Sequence, residues 1–361
     1  MYTYDFAAPS CRDVRRTGGK AAGLAEMTAA GLPVAPGFAV TASAYRAFLG
    51  QGAVRAQLTA ILDDLGDRRD PAAFDTADRA ITELFRSVPL PDEVATAVRS
   101  AYAELCTTTG VENVAVAVRS SATAEDSVGA SFAGEFETWV DIVGADEVLA
   151  HVHQCYVSVY SGRVLSYLAE KSISPNDIEM AVVVQKTVRA RSAGVMFTIS
   201  PTSGDRSTIA LEASWGLGLS VVGGEVTPDR FLVDKIAMTV TERTLGDKRI
   251  EYRRGDAAQD VPADRRDMLC LDDDEILALA ALGRKLEGMH GAPQDIEFAV
   301  DEELEPGRNL LLLQCRPETV WSGIERKPAF DATAGLMGWV TGSTSGAVPA
   351  PAETHDLSHQ H

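Results

Sequence analysis

The chain has 361 residues, with 33 Lys plus Arg against 52 Asp plus Glu and a formal net charge of −19. That long-range field repels phosphate backbones and anionic surfaces, so no nucleic acid and no membrane is expected as a partner. A hydrophobic content of 45% with 24% charged residues is ordinary for a soluble globular chain, and the length allows two or three domains at roughly 150 residues each.

The five cysteines (Cys11, Cys106, Cys155, Cys270 and Cys315) are scattered and form no CxxC pair. Neither a zinc site nor a disulfide framework is expected from them. The opening MYTYDFAAPS has no basic segment followed by an apolar one, so it does not read as a signal peptide. No apolar run approaches the roughly 20 residues that span a bilayer, and the cytoplasm is the expected address. In so acidic a chain, a bound anion must be held by isolated Lys and Arg in Gly-rich settings.

In chain order, residues 18–30 (GGKAAGLAEMTAA) predict a Gly-rich turn running into a helix, and 32–41 (LPVAPGFAVT) an extended segment followed by another helix. Residues 70–105 read as mostly helical, broken at Pro89 and Pro91. VAVAVRSSA reads as a strand, followed by a Ser/Gly-rich loop. Residues 146–169 have helical spacing. Residues 180–188, 193–200 and 209–218 are strand-like, the last entering a Gly turn. Residues 272–291 predict a helix with an acidic start, a basic late portion and a glycine after it. The strands QDIEFAV (294–300) and LLLLQCRPETV (310–320) face each other across DEELEPGR. The segment beyond Trp321 has the makeup of a loosely ordered tail. No internal repeat is visible.

Four constellations carry chemistry, each with a plainer alternative. In Gly18-Gly19-Lys20, glycines before a helix let backbone N–H groups approach an anion and the lysine adds a charge. A solvated loop lysine is the alternative, and GxxxxGK[ST] is absent. Arg119 leaves a buried strand and needs a partner. That partner is either a phosphate under the following loop or an internal carboxylate such as Glu125 or Asp126. In the terminal hairpin, Glu297 takes the face opposite Ile296 and Phe298, while Leu312, Gln314 and Arg316 share a face by alternation. Depending on register, Glu297 and Gln314 come together as hard oxygen ligands suited to Mg²⁺, with Arg316 reaching phosphates. The alternative is a Glu–Arg ion pair on a solvated sheet face. Gln185 closes the run AVVVQ, where it either meets an adenine edge or is simply a strand-end residue in water. His151 and His153 sit in a helical stretch and His290 at a helix end. His355, His359 and His361 lie in the tail.

Taken jointly, GGKAAGLAEMTAAGLPVAPGF, VRSSATAEDSVGASFAGEFET, QKTVRARSAGVMFTISPTSG, LEASWGLG, GGEVTPDRF, GAPQDIEFA and LLLLQCRPETVWS resemble the ATP-binding module of the phosphoenolpyruvate synthase and pyruvate phosphate dikinase family, shared with rifampicin phosphotransferase and phenylphosphate synthase. The resemblance implies an α+β, two-lobed ATP-grasp fold with the nucleotide cleft between lobes. On this chain it implies an N-terminal lobe over 1–186, a C-terminal lobe over 187–322 and a low-complexity tail over 323–361. Lys20, Arg119 and Arg316 would contact the phosphates of ATP as the catalytic set. Gln185, with Val188 just beyond it, would lie by the adenine. Glu297 and Gln314 would ligate Mg²⁺. Full-length relatives add a swivelling domain whose histidine takes the β-phosphoryl group and a domain for the final acceptor. Neither is found here, so the resemblance implies a subunit that works with a separate His-bearing protein and a small-molecule phosphoryl acceptor, as in phenylphosphate synthase. A kinase or ligase acting directly on a small molecule, and a non-catalytic nucleotide-binding protein, are the alternatives. Two departures stand out: Glu135 and Phe136 replace a usual Gln pair, and Leu219 stands after GLG where the family usually has Glu.

Overall fold

The computed structural model describes residues 1–66, 70–123, 138–253 and 257–321. Glu125, Asp126, Glu135, Phe136, the three tail histidines and the tail itself fall outside these residues. The chain divides into two units, Met1–Thr319 and Val320–His361, and every described helix and strand lies in the first.

Its first half runs β1 (Thr3–Asp5), α1 (Val14–Ala29), β2 (Gly37–Val40), α2 (Ala42–Leu49), α3 (Val54–Leu65), α4 (Pro71–Arg86), α5 (Asp92–Thr109), β3 (Val116–Ala122), β4 (Thr138–Ile142), α6 (Ala145–Ser158), α7 (Gly162–Lys171) and β5 (Met180–Lys186). The strands form an antiparallel sheet in the order β1-β2-β5-β3-β4. Alternation divides its faces. Val182 and Val184 of β5, with Val116 and Val118 of β3, pack against helices through Tyr45, Phe48, Ile81, Phe85, Val152 and Tyr156. The Tyr45 and Tyr160 hydroxyls meet at 2.9 Å inside that core. Val183 points the other way, into a second core with Leu24 and Met27 of α1.

The second half runs β6 (Ala190–Phe197), β7 (Thr208–Trp215), α8 (Leu219–Val222), β8 (Asp229–Asp234), β9 (Thr239–Thr244), β10 (Ile250–Tyr252), β11 (Ala258–Asp260), α9 (Ala263–Arg266), α10 (Asp273–His290), β12 (Gln294–Asp301) and β13 (Leu310–Pro317). Six strands form an antiparallel sheet in the order β13-β12-β6-β7-β8-β9. One face carries Met196, Leu211, Phe231, Ile296 and Phe298, buried with Ile276 and Leu279 of α10. Helix α10 starts at a capping box: the Asp272 side chain accepts from the Glu275 N–H, and the Glu275 carboxylate accepts from the Asp272 N–H. The opposite face of this sheet looks toward β3 and β5 of the first.

Helix α1 joins the two sheets. Leu24 and Met27 share one core with Val183 of the first sheet and with Phe298 and Leu312 of the second. The alternation expected for 310–316 fails at one point. Glu297 pairs with Gln314, but Phe298 pairs with Leu312, leaving Leu313 as an extra residue. That bulge puts Leu312 in the core with Phe298, on the opposite face from Gln314 and Arg316, so the three do not share a face. The helix expected over 146–169 is two helices, α6 and α7, interrupted at 159–161, with the Ser161 hydroxyl accepting from the Val164 N–H at the new start. Among the described residues no helix is long and apolar enough to cross a membrane.

Candidate functional site

Ala117 and Arg119 occupy the face of β3 opposite Val116 and Val118, so Arg119 projects toward the second sheet. There its Nη2 donates to Glu297 Oε2 at 2.6 Å and to Gln314 Oε1 at 3.2 Å, and Nη1 donates to the Leu313 carbonyl at 3.2 Å. The bulge at Leu313 therefore does two things: it turns Gln314 to the same side as Glu297 and presents a carbonyl to the guanidinium. The Arg119 and Glu297 side chains retain 14% and 25% of their exposure. The Nε of Arg119 is buried without a partner among the described residues. An unpaired donor on a mostly buried cation is an unfilled contact for an anion.

Glu297 sits among cations. Burial pushes its carboxyl up, but Arg119, then Arg316 and Lys20, outweigh burial and hold it below the ordinary glutamate range. Lys20 and Arg316 are thus electrostatically coupled to the same carboxylate. Gly18 positions Lys20. It breaks the helical geometry of α1 with φ 76° and ψ 168°, and a Cβ there would lie 2.0 Å from the Ser121 carbonyl oxygen. Only glycine permits this approach. Past the break, the Ala21 N–H donates to Ser121 Oγ at 3.3 Å, and Ser121 Oγ donates to the Thr17 carbonyl at 2.8 Å. Lys20 begins the restarted helix against the end of β3.

Arg316 is held by Asp295, directly opposite on β12, through Nε and Nη2 at 2.7 and 2.5 Å. Burial pushes the Asp295 carboxyl up, against the pull of Arg316. Sequence reasoning missed Asp295, though it lies two positions before Glu297 on one face of the strand. Ser121 and the Leu313 carbonyl were missed as well. For these no sequence signal existed, because both act through pairings made only in three dimensions. Cys315 has its thiol pushed up to about 12, by burial first and then by Asp295 and Glu26, which disfavours the thiolate.

Gln185 is only 2% exposed, and its Nε2 donates to the Ala35 carbonyl at 3.1 Å. The strand-end glutamine in water is thereby replaced by a buried, oriented amide. Val188 lies next to it in an apolar cluster with Ala35, Ala190, Ala193 and Ala299. A cavity of about 190 Å³ connects these features. Gln185, Val188, Ala193 and Ala299 line one part, and Arg119 and Glu297 another. The structure therefore brings Arg119, Glu297, Gln185 and Val188 around one space, joins Gln314 to it through Arg119, and couples Lys20 and Arg316 to its carboxylate.

The donor set fits a hard divalent cation. Glu297 and Gln314 face each other across the hairpin with carboxylate and amide oxygens, ligand types that suit Mg²⁺, and an ion bound to both would displace Arg119 Nη2 from Glu297 Oε2 and Gln314 Oε1. Among the described residues no group of three His, Cys, Asp or Glu is placed to hold a metal alone. An ion here would complete its shell with phosphate oxygens and water. Of the three described histidines, His290 is exposed in the last turn of α10, and the other two make contacts within the first half of the chain. His151 Nδ1 contacts the Glu147 carbonyl at 2.7 Å, and the His153 ring packs edge-on to Phe48 at 5.2 Å, with burial pushing its imidazole below the ordinary value.

Residues 14–334 match the family "Pyruvate phosphate dikinase, AMP/ATP-binding domain". The chain is 41% identical to the phosphoenolpyruvate synthase of Aeropyrum pernix over 333 residues, covering 84% of this chain and 41% of that protein. It is 38% identical to a probable phosphoenolpyruvate synthase of Methanothermobacter thermautotrophicus, covering 96% and 50% respectively. Against the phosphoenolpyruvate synthase of Pyrococcus furiosus it is 36% identical, covering 87% and 42%. The chain thus spans half or less of the length of these relatives. The matched span contains every residue of the site just described, and the chain belongs to the pyruvate phosphate dikinase AMP/ATP-binding domain family.

Proposed function

We propose that this chain is an ATP-grasp module, with lobes over 1–186 and 187–322, that holds Mg-ATP between its two sheets and serves as the ATP-binding subunit of a dikinase-type phosphotransferase. The observation that carries the reading is Arg119 reaching from one sheet to the Glu297–Gln314 pair of the other, with its Nε unpartnered, at the edge of an apolar cavity. The base would occupy the part lined by Gln185, Val188, Ala193 and Ala299. The triphosphate would lie at Arg119, Lys20 and Arg316.

Phosphoryl transfer asks the protein mainly for positioning and charge neutralisation. Glu297 and Gln314 would hold Mg²⁺, which would neutralise phosphate charge when bound. Arg119 would turn its unpartnered Nε to a phosphate oxygen. Lys20, fixed by the Gly18–Ser121 contact, would oppose the charge that develops on the bridging oxygen. In the reaction a histidine nitrogen attacks the β-phosphorus, the bond to the α-phosphate oxygen breaks and AMP leaves. Water then takes the γ-phosphoryl group as inorganic phosphate, leaving the β-phosphoryl on the histidine for a small-molecule acceptor. We place that histidine on a swivelling domain of a separate partner protein. The engagement of His151 and His153 elsewhere in the fold supports a histidine other than these two.

The test is to incubate the chain with Mg-ATP labelled at the β-phosphorus, with and without a His-bearing partner. AMP, phosphate and label on the partner are expected. ADP would instead favour direct phosphorylation of a small substrate, and absence of turnover with any partner would favour a non-catalytic nucleotide-binding role. Binding alone should raise the melting temperature, by the equivalent of about 2.7 kcal/mol at roughly a hundredfold excess over Kd. An unchanged melt would remove the nucleotide assignment.

A further inference from the structure

The oxygens suited to Mg²⁺ already hold a cation. Arg119 Nη2 donates to both of them, at 2.6 Å to Glu297 Oε2 and at 3.2 Å to Gln314 Oε1, while Nη1 closes on the Leu313 carbonyl at 3.2 Å. Three acceptors of one hairpin thus converge on one guanidinium. Of the cations that hold the Glu297 carboxyl down, Arg119 acts most strongly, ahead of Arg316 and Lys20. Arg316 is bonded to Asp295 instead. Arg119 therefore differs from the other two in touching the metal-binding atoms themselves.

A guanidinium and Mg²⁺ claim the same pair but differ in what else can satisfy them. An ion using both oxygens must take the place of Nη2, because two cations on one pair repel. Arg119 then needs other acceptors. Its side chain is 14% exposed, so leaving the pair for nothing strands a mostly buried cation, which is costly. Phosphate oxygens match the planar fork of arginine donors. The Nε of Arg119, buried without a partner among the described residues, is a donor ready for one.

We infer that Arg119 is a built-in competitor of the metal: it yields Glu297 and Gln314 to Mg²⁺ when phosphate oxygens take over its guanidinium, so that metal and triphosphate load the site as a pair. The inference rests on the nucleotide reading above and adds a regulation to it. Both half-loaded states are disfavoured. Metal alone must expel a mostly buried arginine. Triphosphate alone draws Arg119 from Glu297 and leaves that carboxylate facing phosphate charge. By linkage, each ligand raises the affinity for the other by the same factor.

The test is titration of the full chain with Mn²⁺ and no nucleotide, read by the electron paramagnetic resonance signal of the free ion. Mn²⁺ takes the same oxygen ligands as Mg²⁺. Arg119→Met removes the competitor and should tighten Mn²⁺ binding about tenfold or more, the equivalent of one net hydrogen bond to a charged group. Lys20→Met removes an equal charge that acts on the same carboxylate and should shift Kd by about threefold or less. Adding Glu297→Gln to Arg119→Met should abolish the gain. If Arg119→Met does not melt cooperatively, Arg119→Gln, polar but uncharged, carries the same expectation. A gain below about threefold, an equal gain in Lys20→Met, or a gain that survives Glu297→Gln would each overturn the inference. Calorimetry of the parent chain with Mg-ATP separates the two readings. Mg-ATP binding without the metal gain removes the competition and leaves the nucleotide reading standing. The metal gain without Mg-ATP binding keeps the competition but removes the nucleotide reading, and with it the paired loading.

Discussion

Removing the Glu297 carboxylate tests the bond between the two sheets, its charge logic and the site together. In Glu297→Ala, Arg119 loses its 2.6 Å partner but keeps the Leu313 carbonyl and the Gln314 amide oxygen. With side-chain exposures of 14% and 25%, the pair lies between a solvated ion pair, worth about 0–1 kcal/mol, and a fully buried one, where loss of a partner costs about 3–5 kcal/mol. A loss of about 2 kcal/mol follows, or about 3 °C in Tm for a chain of this size. A double-mutant cycle with Arg119→Met, read by urea unfolding at neutral pH, should give a coupling of about 1–2 kcal/mol. The sign with pH is also fixed. The folded Glu297 carboxyl titrates below its unfolded value, so its contribution is fully present above the ordinary glutamate value and is lost as pH falls through the folded one. The stability gap between parent and Glu297→Ala must therefore narrow on acidification. A coupling under about 0.5 kcal/mol, or a gap that widens toward acid, would refute the reasoning.

Gly18→Ala should destabilise by about 3 kcal/mol or more, because both the left-handed φ and the 2.0 Å approach to Ser121 forbid a Cβ. Gly31→Ala, at φ 68° with nothing within 4 Å, should cost only about 1 kcal/mol; thermal melts of the two variants separate clash from strain. Gln185→Leu strands the Ala35 carbonyl and should destabilise by about 1–3 kcal/mol. It should also weaken Mg-ATP binding while leaving Mg-tripolyphosphate binding unchanged, and competition titrations with the two ligands check that split.

Much of the fold could be read because its elements announce themselves locally. Helix α10 carries its own capping box at Asp272 and Glu275 and a glycine after His290. Helices α4 and α5 are separated at Pro89 and Pro91, as the prolines require. Residues 54–65 also carried a signal, with Val54, Leu58, Leu62 and Leu65 at helical spacing, and a helical reading could have been made there. Single-residue events were different. The break at 159–161 sits in an unbroken apolar rhythm, and its Ser161 cap is recognisable only once the chain has turned. The bulge at Leu313 is invisible in LLLLQCR, since every residue there is an acceptable strand residue and only pairing with β12 reveals the extra one.

The site shows the same division, and the bulge explains why. Under strict alternation Gln314 shares its face with Leu312. Leu312 belongs in the core against Phe298, so a regular strand would have buried an amide with it or exposed a leucine. One extra residue resolves the conflict: it sends Leu312 inward, turns Gln314 and Arg316 to the side of Glu297 and Asp295, and leaves the Leu313 carbonyl for Arg119. The composition of the strand already held this conflict, with polar residues two apart in an otherwise apolar run. What it could not hold was the partner. Arg119 lies 178 residues before Glu297, and the ion pair exists because α1 fixes both sheets to one core. Residue types and alternation thus singled out these positions, while their assembly depended on a register and a helix packing that only the folded chain supplies.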